Sequence, residues 1–413
     1  MTTTPDECLD VELDSIDLAD PDLYATGDFL TVWRYLQKHA PVFFNRSSDD
    51  GFWAVTKHRE AMAVYTDRSF TSERGMRVGG GAASRASGSK MVIVTDGSRH
   101  RQLRDLMAPP FSPRAARAME GNMRAVVRGL LDRARGLAEF DFVDLIAAQL
   151  PLYVTCQLLG VPDEDRDLVI DWTRKAFGSV AGDGNRDVVT PQEQAEAHAA
   201  IFLYATELLA ERRRRPRDDI VSALAHGTID GRPVTEEEVM VNVNGVLTGG
   251  NETTRHASAG AIEALAAFPG EWQELKDSPG IPATAIEEVL RWTAPSLHVM
   301  RTAIRDVTIG DQLVRAGQEV SVWNPAVNRD GDQFPEPLRF DVTRTPNRHL
   351  TFGTGNHVCI GGTLARTELR VLLEEVVASV ASIEVRGPVR RLRSNLMWGL
   401  DQLPVHFEWE ADR

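Results

Sequence analysis

Between Thr235 and Phe268 the chain carries an apolar segment of helical spacing about thirty residues long, well beyond an ordinary helix. Its start is marked by Thr235-Glu236-Glu237-Glu238, where a hydroxyl cap precedes a carboxylate by three positions, a capping box. A helix this long and apolar has to be surrounded by other elements, so it is expected to cross the middle of the molecule. The flanking pattern is mostly helical. Phe29 to His39 reads as a short helix, Arg99 to Gln149 as helices broken by Pro109, Pro110 and Pro113, and Thr190-Pro191 opens a helix ending near Arg215. Further helices are expected from Ala283 to Trp292 and from Gly362 to about Ser382. Strand signals are fewer. They are a hairpin around Asp49-Asp50-Gly51 within Val42 to Val55, short runs between 301 and 323 with Gly310 and Gly317 as turns, and a closing VHFEWE. The expected fold class is mainly α with a smaller β-rich lobe.

No linker interrupts the chain, which is read as an acidic, extended arm over residues 1–27 followed by a single domain over 28–413. The Gly/Ser-rich stretch 75–90 reads as a mobile loop. With 46 Lys and Arg against 60 Asp and Glu, the formal charge of −14 argues against nucleic acid as a partner, which would require a basic footprint. Three cysteines, Cys8, Cys156 and Cys359, are too few and too scattered for a disulfide framework. No basic residue precedes Arg34, no signal-peptide apolar core follows it, and no run of about 18 apolar residues occurs. The expectation is a cytoplasmic monomer without a membrane span.

The segment richest in chemistry is Phe352-Gly353-Thr354-Gly355-Asn356-His357-Val358-Cys359-Ile360-Gly361-Gly362. Its glycines allow tight turns and close approach to a flat ligand. The cysteine stands just before a helix, where free N–H groups and the helix dipole favour a thiolate. His357 with Cys359 is also half of a zinc site, although zinc takes four ligands and no second Cys/His cluster is present. A cysteine protease is a further alternative, without a local signature. In the long helix, Gly249-Gly250-Asn251-Glu252-Thr253-Thr254 sets two glycines, an acid and two alcohols mid-helix. Two glycines there cost about 1 kcal/mol each relative to Ala. Either close helix packing or a kink beside a ligand would offset that.

These elements resemble the cytochromes P-450. The cysteine loop matches the family's Phe-Gly-x-Gly-x-His-x-Cys-x-Gly at Phe352, Gly353, Gly355, His357, Cys359 and Gly361. The mid-helix element resembles the family's Ala/Gly-Gly-x-Asp/Glu-Thr-Thr. The resemblance implies a haem b cofactor beneath the long central helix, with Cys359 as iron ligand and His357, His100, Arg104 and Arg301 on the propionates. It further implies Glu252 and Thr253 as the acid–alcohol pair for proton delivery. A thiolate ligand favours O–O cleavage. The family's buried triad corresponds to Glu288 and Arg291, one turn apart, with Arg339 in Pro337-Leu338-Arg339-Phe340. Substrate is expected against residues 80–95, 177–190, Gly245, Thr248, Pro295 to Met300 and Leu396 to Trp398, with Leu297, His298, Met300, Met397 and Trp398 singled out, although Met and Trp there also suit a core.

The implied function is a monooxygenase inserting one oxygen atom from O2 into an organic substrate, in tailoring of a peptide, a polyketide or a carrier-bound amino acid. Alternatives are a catabolic hydroxylase of a terpene or lipid, a peroxide-driven or redox-neutral haem-thiolate enzyme, and a catalytically silent docking module for a synthase. Electrons are expected from a separate ferredoxin and its reductase, steered by outward-facing members of Arg101, Arg104, Arg348 and Arg366.

Overall fold

The computed structural model describes residues 13–46, 51–78, 88–177, 179–180 and 188–411. The helices that build the site are α1 (Gly97–Met107), α2 (Pro113–Arg135), α3 (Glu236–Ala267), α4 (Ala283–Thr293) and α5 (Gly362–Ser379). The long helix forms as expected, and its cap is the expected box. Thr235 Oγ1 accepts from the Glu238 N–H, and the Glu238 carboxylate accepts from the Thr235 N–H at 2.8 Å. Along α3 most side chains are buried, among them Val243, Leu247, Ala261 and Ile262, so the helix runs through the interior. It packs on the helix Gln149–Leu159, on α4 and on α5, while α5 lies chiefly on α2.

The β-rich part is a five-stranded sheet of β1 (Val42–Asn45), β2 (Phe52–Val55), β3 (Phe70–Thr71), β4 (His298–Ala303) and β5 (Glu319–Trp323), ordered β1-β2-β5-β4-β3. The expected hairpin is present, with Val42 opposite Val55 and Asn45 opposite Phe52, and part of its turn lies outside the described residues. A second sheet joins Phe140–Asp141, Val380–Val385 and the C-terminal strand Pro404–Trp409.

Two expectations need correction. The first is the arm. Its first twelve residues lie outside the described part, but from Ile16 the chain is core rather than an extended tail. Leu18 and Tyr24 are fully buried with Trp33 and Trp323, and Tyr24 stacks on Trp323 with ring centroids 5.8 Å apart. The acidic residues masked three well-spaced apolar anchors, and a few such anchors suffice to dock a terminal segment.

The second is the triad. Arg291 binds Glu288 through Nε and Nη2, both at 2.7 Å, as expected. The second cation is Arg344, with Nε 3.1 Å from Glu288 Oε2. Arg339 instead points outward to Glu336 at 3.5 Å. What Arg339 contributes is its backbone carbonyl, which accepts from both Arg291 Nη2 and Arg344 Nη2. The Asp341 N–H and the Asn347 amide fill the remaining positions on Glu288. The whole turn-rich segment before the cysteine loop is thereby hung on one carboxylate.

Breaking a buried pair from one side leaves a charge uncompensated and costs about 3–5 kcal/mol. Arg344→Leu should therefore lower the urea midpoint by a large fraction of total stability. Arg339→Ala, which keeps the carbonyl, should stay within about 0.5 kcal/mol of wild type. Equal destabilisation by the two would refute the reassignment.

Candidate active site

The cysteine loop is closed by its own backbone. The Cys359 N–H donates to the Phe352 carbonyl at 2.9 Å, and Gly353 N–H to Leu350 O at 2.8 Å. Gly353 and Gly355 have φ of +63° and +72°, where only glycine sits without strain. At Gly355 a Cβ would also come 3.0 Å from the Tyr65 carbonyl oxygen. The loop leads straight into α5, whose cap is Gly361. Cys359 is open to solvent, but protein crowds round its sulfur. Burial pushes its thiol up, and the N–H groups of Gly361 and Gly362 with the charges of Arg104 and Arg366 only partly offset this. The expected thiolate is thus not produced by the loop alone. A coordinated metal ion would supply what is missing, because a ligating thiol is deprotonated outright. Among the described residues no group of three or more His, Cys, Asp or Glu side chains could hold a metal by itself, so the zinc alternative lacks its ligands.

Beside the loop lies a cluster of basic side chains from three elements, of which His100 is held neutral by burial and by the charges around it, at about 4. α1 supplies His100, whose ring centroid is 4.2 Å from that of His357, and Arg104, whose charge reaches both His100 and Cys359. β4 supplies Arg301. It is 7% exposed, and its guanidinium bonds only to the neighbouring Met300 carbonyl and sits over the Tyr65 ring. Neither Arg301 nor Arg104 forms an ion pair with a carboxylate among the described residues, although the Asp96 charge acts on Arg301 from farther off. A buried charge without a partner is costly, so the site is short of anionic groups. His357 Nε2 lies 2.9 Å from Asp96 Oδ1. Burial raises the Asp96 carboxyl, yet His357, Thr71 and the Ser72 N–H overcome this and hold it at about 2. Two free arginines, two histidines and one sulfur fit a flat ligand that carries carboxylates and a thiophilic metal, as haem does.

On α3 the two glycines do different things. A Cβ on Gly250 would come 2.9 Å from Thr155 Oγ1, which is close helix packing. Gly249 has nothing within 4 Å and is exposed in the middle of a buried helix, so it borders open space. The packing reading holds for Gly250, while Gly249 leaves open space beside a helix that is continuous from Glu236 to Ala267. Thr253 donates to the Gly249 carbonyl at 2.7 Å, and Thr248 to Asn244 in the same way. Glu252 is turned to its own helix, with Oε1 accepting from Asn251 Nδ2 at 2.9 Å and Oε2 facing Arg255 and His256.

The expected substrate contacts divide. A side chain lining an opening wide enough for a ligand is accessible to solvent, and several are not. Leu297 is fully buried in the cluster of Trp33, Trp323 and Trp398. Trp398 packs edge-on against Phe29 and Trp33 and over Arg329. Met300 is buried, and His298 accepts from the Val78 N–H at 3.0 Å and lies against Trp323. These four are core, and the alternation of β4 gives the reason. His298 and Met300 share one face, while Val299 and Arg301 share the other. Val299, on the face of Arg301 and half-buried, lies within the 295–300 stretch expected against substrate. Thr248 and Met397 remain half-buried. Gly245 makes room for Met91, whose Cε would be 2.4 Å from a Cβ there. Residues 79–87 and 181–187, expected near substrate, lie outside the described residues. Of the four arginines read as steering groups, Arg101 and Arg348 are exposed. Arg104 is turned inward, and Arg366 is paired with Glu287 at 2.6 Å.

Burial holds the His298 imidazole at about 4 against an ordinary 6.5, so its folded state is neutral. A base depressed on folding stabilises fully above 6.5, and that stability is lost as pH falls toward 4. His298→Gln should therefore remove up to about 3 kcal/mol of the fall in unfolding free energy across that window. An identical pH slope in the variant would mean that His298 does not titrate this way.

The chain was compared with known proteins. The family model described as "Cytochrome P450", written here cytochrome P-450, matches residues 271–381. The P-450 named NovI from Streptomyces niveus is 39% identical over 95% of this chain and 97% of its own. Linalool 8-monooxygenase of Pseudomonas putida is 34% identical over 94% of this chain and 98% of its own. The crystal structure of OxyD, a P-450 involved in biosynthesis of vancomycin-type antibiotics, superposes with a TM-score of 0.88 at 40% identity, covering 96% of this chain and all of that one. With this identity along nearly its whole length, the chain belongs to the cytochrome P-450 family of haem-dependent monooxygenases.

Proposed function

We propose that this P-450 binds haem b through Cys359, with His100, Arg104, Arg301 and His357 around the propionates, and that it oxygenates an intermediate of natural-product biosynthesis. The observation that carries the haem placement is the pair of inward arginines, Arg104 and Arg301, left without carboxylate partners beside the cysteine loop. Bound haem supplies the redox chemistry that splits O2, placing one atom in substrate and the other in water. The protein's own part is to bring two protons to a dry site and to hold the substrate. Thr253 is the hydroxyl that can pass a proton once its bond to the Gly249 carbonyl is exchanged, and Glu252, one residue earlier, is the acid that resupplies it. A peroxide-driven or redox-neutral enzyme has no use for this pair. Both it and the cysteine loop are intact, which also weighs against a silent docking module.

The substrate class rests on the likeness to OxyD, at 40% identity, and on that protein's place in antibiotic biosynthesis. A terpene hydroxylase is the second reading, because linalool 8-monooxygenase is also a full-length relative. Electrons are assigned to a separate ferredoxin and its reductase, with Arg101 and Arg348 as the exposed cations facing an acidic donor. Among the described residues no helix is long and apolar enough to cross a membrane.

Three measurements test this. The reduced wild-type protein should give the thiolate carbon monoxide spectrum, and Cys359→Ala should lose it. Thr253→Ala should lower product formed per O2 consumed by about tenfold or more while consumption continues. Unchanged coupling would remove the proton-delivery role. A spectral titration against free and carrier-bound amino acids, polyketide fragments and monoterpenes should shift the haem band with the first group. A response to monoterpenes alone would select the second reading.

A further inference from the structure

The side chain of His256 is fully buried in the middle of α3, yet neither ring nitrogen has a hydrogen-bond partner among the described residues. Buried polar groups are almost always satisfied, so such an imidazole calls for an explanation. The acid within reach is Glu252, one helical turn earlier, where Nε2 lies 3.5 Å from Oε2. The spacing of four residues puts both on one helix face. The ring has no room to retreat. A Cβ on Gly399 would come 2.2 Å from its Cγ and Nδ1, so the backbone of the C-terminal segment presses directly on the imidazole. The Glu252 carboxylate is hemmed in as well, with Asn251 Nδ2 2.9 Å from Oε1 and Arg255 Nη1 3.6 Å from Oε2.

We propose that His256 is a positioning residue, clamped by the Gly399 backbone, that holds the Glu252 carboxylate against its own helix and so governs its readiness to resupply Thr253 with a proton. The inference rests on the reading of Glu252 as the proton-delivering acid. Among the described residues the charged and titratable groups facing Glu252 are Arg255 and His256, both on α3. The segment packed on His256 presents the bare backbone of Gly399. Burial raises the Glu252 carboxyl, but the contact with His256 and the charges of Arg255 and His256 outweigh it and hold the group below the usual range. A small shortening of the 3.5 Å gap turns the contact into a full hydrogen bond. A small lengthening frees the carboxyl to rotate.

The experiment follows the protonated-carboxyl stretch of Glu252 by infrared difference spectroscopy of the holoenzyme against pH, the band being assigned by its loss in Glu252→Gln. His256→Phe should raise the midpoint of this band by about one unit, as expected when a donor facing the carboxylate is removed. His256→Gln, which keeps a donor, should raise it less and recover part of the coupling between O2 use and product. A midpoint in His256→Phe equal to that of wild type overturns the proposal. Should neither variant fold, the ring 15N signals of His256 in Glu252→Gln serve instead. They should move from their wild-type positions at neutral pH, where Glu252 is ionised, and unmoved signals overturn the pairing. The two layers separate cleanly. Full coupling in Glu252→Gln would sink the role of the acid, and the proposal with it. Uncoupling in Glu252→Gln with an unmoved infrared midpoint in His256→Phe would sink only the role of His256.

Discussion

Glu288, fully buried on α4, is the group on which the shape of the site depends. It takes Arg291, Arg344, the Asp341 N–H and the Asn347 amide around two oxygens. Apart from Arg291, those partners belong to a stretch with almost no regular structure, and packing alone would leave that stretch many arrangements. A buried carboxylate tolerates few, because any donor that leaves exposes a charge to a dry interior. Arg291 extends the hold to the carbonyls of Asn328 and Pro337, and Asn328 in turn receives the Leu350 N–H. From Leu350 the chain turns into Gly353 and the cysteine loop, so the position of Cys359 is inherited from an ion pair far behind it in sequence.

The loop is positioned, but it is not electrostatically self-sufficient. Its thiol is pushed up by burial, and Arg104 and Arg301 form no ion pair with a carboxylate among the described residues. Both imbalances have the same sense: the folded chain offers cations and a soft sulfur where an anionic, metal-bearing ligand would complete the charge. A haem, with its carboxylates and iron, would complete the core in this respect. Across the site α3 has the opposite character. There an acid is surrounded by donors within its own helix, and the open space begins at a glycine rather than at a polar side chain.

Misreadings of the site share one cause. Arg339 and Arg344 lie five residues apart in a segment without period, and sequence offers no rule for which side chain turns inward and which lends a carbonyl. His298 and Val299 are neighbours on a strand, and polar character suggested the histidine. The sheet register puts the valine on the arginine's face and leaves the histidine to bind the Val78 N–H. Ile16, Leu18 and Tyr24 sit among acids, which made a packed segment look like a solvated one. Polarity ranks residues by chemistry, whereas burial depends on direction, and direction is fixed by neighbours distant in the chain.

The sequence by itself determined the capped central helix, the hairpin, the glycine-turned cysteine loop and the mid-helix acid and alcohol. Each of these is written in local spacing, caps and turn residues within a dozen positions. Only the tertiary structure decided which arginine completes the buried triad, which face of β4 meets the site, and how the two glycines of α3 divide packing from open space. It also set the Gly399 backbone against His256. These are contacts between segments up to hundreds of residues apart, and their outcome turns on a few ångströms of packing that no local pattern encodes.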